Sequence, residues 1–227
     1  MFRNDAWSRL AANPTERNQV SEDRFDRFLP IAGVLIGLLF FAGLALTWGD
    51  PSSETAPAET FSYWQDNRGQ HQISGLLLAP LIAFLLVFFG AGLQRRLRSS
   101  VDTGHGAVAF GGAILAASAF ALVGMLEGAA TNAAHEGQRQ AVYTLSQLHS
   151  YDWLAWNAAF AAVLLATGLG ARRNGLLPTP IAWASIVIGA SLLTPLGFFG
   201  FFLVPIWLIV VGVLLHRSPT QRTEQIE

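Results

Sequence analysis

The sequence predicts an all-α protein: a polytopic membrane bundle of six transmembrane helices, with short interfacial helices in its two long outer loops. Three observations carry that expectation. Only 13% of the residues are charged while 52% are hydrophobic, about half the charge a soluble domain carries on its wetted surface. Apolar runs of roughly twenty residues recur, each able to cross about 30 Å of hydrocarbon at 1.5 Å per residue. Arginines gather in alternate connections, the pattern of chains whose alternate loops face the cytoplasm.

Residues 1–27 are polar and contain Arg3, Arg9, Arg17, Arg24 and Arg27. They read as a disordered or loosely helical tail, with Ser21 as a candidate helix N-cap. The transmembrane domain is expected over 28–216, and its first span over 28–48. A cleaved signal peptide is the rival reading, because Ala56-Pro57-Ala58 mimics a cleavage site. The acid-containing tail and the length of the apolar run favour a span.

Residues 49–72 form a polar loop whose first half is rich in Pro, Ser and Ala. Its second half places Phe61 and Trp64 at helical spacing behind Thr60, which predicts a short interfacial helix anchored by its aromatics. The second span, 73–93, contains Pro80, which removes a backbone hydrogen bond and predicts a kink. Arg95, Arg96 and Arg98 close it.

The third span, 107–126, repeats small residues at Ala109, Ala113, Ala117 and Ala121, with Gly112, Ala116 and Gly124 on an adjacent stripe. The fourth, 153–171, repeats Ala158, Ala162, Ala166 and Gly170. Small residues at this spacing let helices approach closely in a bilayer, so spans three and four are expected to form the tight central pair. The apolar run from Ile181 to Leu215 is too long for one crossing and breaks at Thr194-Pro195-Leu196-Gly197. Two spans, 180–194 and 199–215, follow from that break, the second containing Pro205. A short tail, 217–227, ends the chain.

With six spans, twelve of the fourteen arginines share one side, leaving only Arg68 and Arg139 opposite. The positive-inside rule then places both termini in the cytoplasm of a plasma-membrane protein and turns loops 49–72 and 127–152 outward. Composition also excludes several functions. The chain has no cysteine, hence no disulfide, thiolate metal site or Cys nucleophile. All its basic residues are arginine, hence no lysine Schiff base and no P-loop. A net charge of −1 without a basic cluster argues against a nucleic-acid partner.

The segment ETFSYWQDNRGQHQISG, the NGLLPTPIAW entry to span five and TPLGFFGFFLVPIWLIVVGVLL near the end resemble a group of uncharacterised six-helix membrane proteins common in actinobacteria. The resemblance runs over most of the chain from Phe28 onward. It implies the six-helix topology, and it carries no activity and no functional residues.

Candidate chemistry concentrates in Glu127–Trp153, a polar stretch between two apolar ones that holds two of the five histidines. His71, His135 and His149 all fall on the expected outer side, near Asp66, Glu127, Glu136 and Asp152. Imidazoles with carboxylates suit Zn²⁺ or Cu²⁺, although the spacing matches no standard metal motif and solvated loop histidines are the plainer reading. No cofactor is predicted. A haem within the membrane is disfavoured because no histidine lies at mid-bilayer, which leaves only an outer-face haem.

Glu127 follows Leu126 without a break, so a helix can carry its carboxylate to the outer edge of the bilayer, where headgroups or water reach it. Asn157 lies one turn inside span four and is expected to make an interhelical hydrogen bond. Residues 134–149 are weakly amphipathic, with Ala141, Leu145 and Leu148 on one side, and predict a helix over the outer mouth of the bundle.

The reading that unites these features is a non-enzymatic membrane protein whose outer face binds a small ligand, a lipid or a partner. A small transporter or channel-like protein is the alternative, and it predicts a water-accessible cavity reaching Ser118 at mid-depth. An outer-face metal or haem protein is the third. The bilayer is the implied environment, and a second copy or another membrane protein is a possible partner.

Overall fold

The structure, a computed structural model, describes residues 14–98 and 104–217; the remainder of the two tails and the connection 99–103 lie outside the described residues. In chain order the elements are α1 (Pro14–Leu46), α2 (Pro57–Asp66), α3 (Arg68–Ile73), a π turn (Ser74–Leu78), α4 (Ala79–Leu97), α5 (Gly104–His135), α6 (Arg139–His149), α7 (Trp153–Asn174), α8 (Thr179–Ser191) and α9 (Gly197–Arg217). No strand occurs among the described residues. Five helical stretches are long and apolar enough to cross a membrane. Helix α8, with 13 residues, is about 20 Å long and shorter than a full crossing.

Helix α1 starts at Pro14, upstream of the Ser21 cap expected from the sequence. No glycine or proline interrupts residues 15–29, so the backbone of the polar segment continues into the first span. Helix α5 likewise runs to His135, nine residues past Leu126. Alanines sustain it through the polar region. It ends in a Schellman motif, in which Gln138 N–H donates to Ala133 C=O at 2.9 Å and Gly137 N–H to Ala134 C=O at 3.2 Å. Gly137 takes the left-handed conformation, φ 75°, that this motif requires.

The kink expected at Pro80 takes the form of the π turn that immediately precedes it. A proline cannot donate to the carbonyl four residues back, and a wider turn is one way for a helix to absorb that loss. The turn leaves Ser74 and Gly75 facing α5. Gly75 and Gly124 approach so closely that a Cβ on Gly124 would collide with the Gly75 carbonyl.

Small residues set the other helix approaches too. A Cβ on Gly112 would fall 3.0 Å from Ala159 C=O on α7, and one on Gly37 would fall 2.6 Å from Pro205 C=O on α9. The expected pairing of α5 with α7 is present, but α5 packs along α4 as well. Of the expected α7 stripe, Ala166 and Gly170 are buried, Ala162 is half-buried and Ala158 is exposed, while Ala159 and Val163 join the buried face. Helices α8 and α9 are joined by Trp207 Nε1, which donates to Ser185 Oγ at 2.7 Å.

At one end of the bundle α2, α3 and α6 form a cap with its own small core: Phe61, Trp64, Ala130, Ala133, Ala134 and Val142. Phe61 and Trp64 therefore face inward and are not bilayer anchors; Trp64 is 0% exposed. The reason is that α5 extends beyond the apolar span and offers α2 a dry alanine surface. The buried face of α6 is Val142 and Ser146, with Leu148 exposed. Of the face expected from Ala141, Leu145 and Leu148, the first two pack against the cap's core, and Leu148 turns outward.

The glycine contacts make a clear contrast. Gly124→Ala should destabilise the protein by about 1–3 kcal/mol through overpacking. Gly111→Ala, at a helical position with nothing within 4 Å of its Cβ, should be neutral or stabilising by up to about 1 kcal/mol. Thermal or denaturant unfolding of the two purified variants in the same detergent measures the difference, and equal effects would contradict the packing described.

Candidate functional site

Glu127 is 1% exposed, one helical turn beyond the Gly124 contact on α5. The sequence led to a carboxylate at the edge of the bilayer in reach of headgroups or water, and the structure corrects this: the cap covers it. Ser74 Oγ on the π turn donates to Glu127 Oε1 at 3.3 Å. The other oxygen, Oε2, lies 3.6 Å from His71 Nδ1 and has no hydrogen-bond partner among the described residues.

His71 is fully buried on α3. Trp64 covers it, ring centroids 4.1 Å apart, and Nε2 lies 3.6 Å from Asp50 Oδ1. Asp50, in the connection after α1, accepts from Tyr63 OH at 2.8 Å and meets His149 Nε2 through Oδ2 at 3.3 Å. The opposite nitrogen of His149, Nδ1, lies 2.9 Å from Asp152 Oδ2. Carboxylate and imidazole thus alternate in one line: Glu127, His71, Asp50, His149, Asp152.

The line is held because the two long loops pack on each other. Gln147 Nε2 donates to Ser53 C=O at 3.0 Å, and Gln65 Nε2 donates to Ala134 C=O at 3.3 Å. Tyr63 has its phenol pushed up, first by burial and then by the Asp50 carboxylate, so it stays a neutral donor. Helix α6 precedes the apolar span of α7. Burial alone would press its His149 toward the neutral form, but the Asp152 and Asp50 contacts outweigh it and raise the imidazole from 6.5 to about 10. The two carboxylates thus favour the cationic ring.

Beneath this line lies a cleft of about 200 Å³. Ser74, Glu127, His149 and Asp152 form its polar wall, and Phe40, Phe120, Trp156 and Phe201 its apolar one. The rings form a continuous stack. Phe120 and Trp156 lie 4.9 Å apart at 12°, and Trp156 and Phe201 5.4 Å apart at 22°. Trp156 Nε1 is buried without a partner. From Glu127 to Phe120 the cleft follows α5 for roughly 10 Å. It does not reach Ser118, which points out of the bundle and bonds back to Ile114 C=O at 3.0 Å.

Of the sequence candidates, the structure joins Glu127, His71, His149 and Asp152. His135 is apart from them: it is exposed, with Nδ1 3.2 Å from Arg68 Nη1. The candidate set His71, His135 and His149 is not brought together, and among the described residues no group of three or more His, Asp or Glu that could hold a metal ion is found. Asp66 and Glu136 are exposed and outside the line. Asn157 is buried, but neither side-chain atom is hydrogen-bonded. It packs instead against Gly197 at the start of α9, where a Cβ would fall 2.7 Å from Nδ2.

Sequence reasoning missed Asp50, Tyr63, Trp64 and Ser74 as site residues. Asp50 sits in a Gly-Asp-Pro turn directly after an apolar span, and that position was its only signal. No protein-family model matches the chain, and comparison with curated proteins and with solved structures gives no match.

A histidine whose folded pKa lies above its unfolded value adds stability that is complete below about pH 6.5 and is lost as pH rises through about 10. Unfolding temperatures between pH 6 and pH 10 should therefore fall for the wild type. The fall should be smaller for His149→Gln, and identical pH slopes would contradict a charged His149.

Proposed function

We propose that the protein is a multi-pass plasma-membrane protein of six crossings that binds a small ligand in the cleft at its outer face, under the cap. The observation that carries this reading is Glu127: a buried carboxylate on the wall of an aromatic cleft, with one oxygen left without a hydrogen-bond partner. A buried carboxylate whose hydrogen-bonding capacity is only partly met is costly, and binding sites are where such groups are kept. A convergence of a few polar groups on an otherwise apolar concavity is the general form of a small-molecule site. At about 200 Å³ the cleft is smaller than the roughly 300–1,000 Å³ of most ligand pockets. It suits a small molecule, or one end of a longer one.

Both termini are placed in the cytoplasm by the arginine distribution, with α8 and α9 together completing the fifth and sixth crossings. Transport is less well supported, because the cleft stops short of Ser118 and Ser118 faces away from it.

Gly43 lines the cleft and has nothing within 4 Å of its Cβ position. Gly43→Leu should therefore fill the cleft without disturbing the bundle. Small aromatic amphiphiles such as 4-phenylbutanol and 4-phenylbutylamine should raise the unfolding temperature of the wild type by a few degrees and leave Gly43→Leu unmoved. Equal responses of the two proteins would remove the support for this site. Orientation has its own test in a chain without cysteine. A Thr144→Cys variant should react with a membrane-impermeant maleimide added outside intact cells, and protection there with labelling only after lysis would reverse the topology.

A further inference from the structure

We infer that the ligand of the cleft is an organic cation, an amine or quaternary ammonium carried on an apolar body, with Glu127 as its counter-ion. This rests on the ligand-binding reading and specifies its chemistry.

Three independent observations point to a cation. The first is charge balance. The line holds three carboxylates, Asp50, Glu127 and Asp152, against two imidazoles, His71 and His149. Even with both rings protonated, the carboxylates exceed the imidazoles by one charge, among side chains no more than 17% exposed. Among the described residues no arginine lines the cleft, and the chain has no lysine. The two arginines of the cap are engaged elsewhere, Arg68 at His135 and Arg139 over the Phe61 ring. A buried charge without a partner is neutralised by a proton or by a bound cation.

The second observation is the wall opposite the carboxylates. Phe40, Phe120, Trp156 and Phe201 line the same space. Trp156 is covered by Phe120 and Phe201, and any ring of the cluster that turns its face to the cleft attracts a cation through its quadrupole. Such a wall is a poor host for a hydrated metal ion, which needs oxygen ligands, and a good one for an ammonium whose charge is spread over alkyl groups. The third is the field around the entrance. Beyond the three carboxylates of the line, segments 49–72 and 127–152 carry four more, Glu54, Glu59, Asp66 and Glu136, against two arginines. A face of one sign raises the local concentration of oppositely charged ligands and speeds their arrival.

The orphaned oxygen fixes where the charge sits. Oε1 of Glu127 accepts from Ser74. Oε2 lies 3.6 Å from His71 Nδ1 without a hydrogen-bond partner among the described residues, and a small rotation of the side chain would offer its unmet acceptor capacity to an ammonium N–H or a quaternary head. Asp152, on the same wall, supplies a second negative group. The apolar body then lies along the stacked rings toward Phe120.

The test uses three molecules of one shape: 4-phenylbutylamine, 4-phenylbutanol and 4-phenylbutyrate. Binding to the full-length protein in nanodiscs of zwitterionic lipid is measured by calorimetry and by tryptophan fluorescence. The amine should bind at least about tenfold tighter than the alcohol, as expected when a charge-assisted contact replaces a neutral one, and the acid should be weakest. Glu127→Gln should remove most of the amine's advantage while leaving the alcohol's affinity in place. Equal affinities of amine and alcohol would mean that a proton already neutralises Glu127, and would overturn the cation inference while the ligand-binding reading stands. Tightest binding of the acid would overturn it as well. If none of the three binds, both readings fall. The comparison among isosteres needs no variant, so a misfolded Glu127→Gln would not blunt it.

Discussion

A carboxylate buried at 1% exposure is the constraint on which the cap end of this molecule depends. Taking an ion out of water costs several kcal/mol unless partners replace its solvation. Every element near Glu127 contributes to that replacement. The π turn brings up Ser74, α3 brings His71, and the connection after α1 brings Asp50 behind His71. The two glycines at 75 and 124 are the packing counterpart: a Cβ on Gly75 would lie 2.8 Å from Glu127 Cβ. The side chain fits only because the two backbones touch where neither carries one.

The π turn links sequence to site. Pro80 forbids a hydrogen bond at one point in the second span, and the helix widens over Ser74–Leu78. Widening shifts the register of everything upstream of it, so α3 continues the chain on a different face from the one an unbroken α-helix would present. That shift is what sets His71 beneath Trp64 and toward Glu127. A feature that in the sequence reads as a simple kink is, in the structure, the element that aims two site residues.

The bundle was legible where composition alone decides. Apolar runs, their arginine-rich ends and the Thr194–Gly197 break all reappear as helices and their limits. Loop chemistry was legible only in part. Glu127, His71, His149 and Asp152 were visible as residue types, but sequence spacing cannot bring Asp50 to His149 across 99 positions. Trp64 and Phe61 were misread because an aromatic near an apolar span has two homes, the bilayer edge and a covered protein face, with the same local pattern. The α6 face was misread only at Leu148. His149 on the same helix reaches Asp50, and a count of apolar positions has no access to that contact. Asn157 failed differently: its neighbour is Gly197, forty residues on and in a segment whose close approach no local signal marks.

Two kinds of force hold the two parts of this chain. Within the spans, side chains have the same apolar surroundings with or without a neighbouring helix, so close backbone contact at glycine and alanine does the selecting. The cap is different. Its small core of Phe61, Trp64 and Val142 packs on Ala130, Ala133 and Ala134 of α5, and the carboxylate–imidazole line joins it to the bundle beside that contact. His149 and Asp152, which close α6 onto Asp50, also line the cleft. A charge placed in the cleft must therefore share Glu127 and Asp152 with the histidines that hold the cap down. Occupancy of the cleft and closure of the cap draw on the same atoms, and neither can change without altering the electrostatic balance of the other.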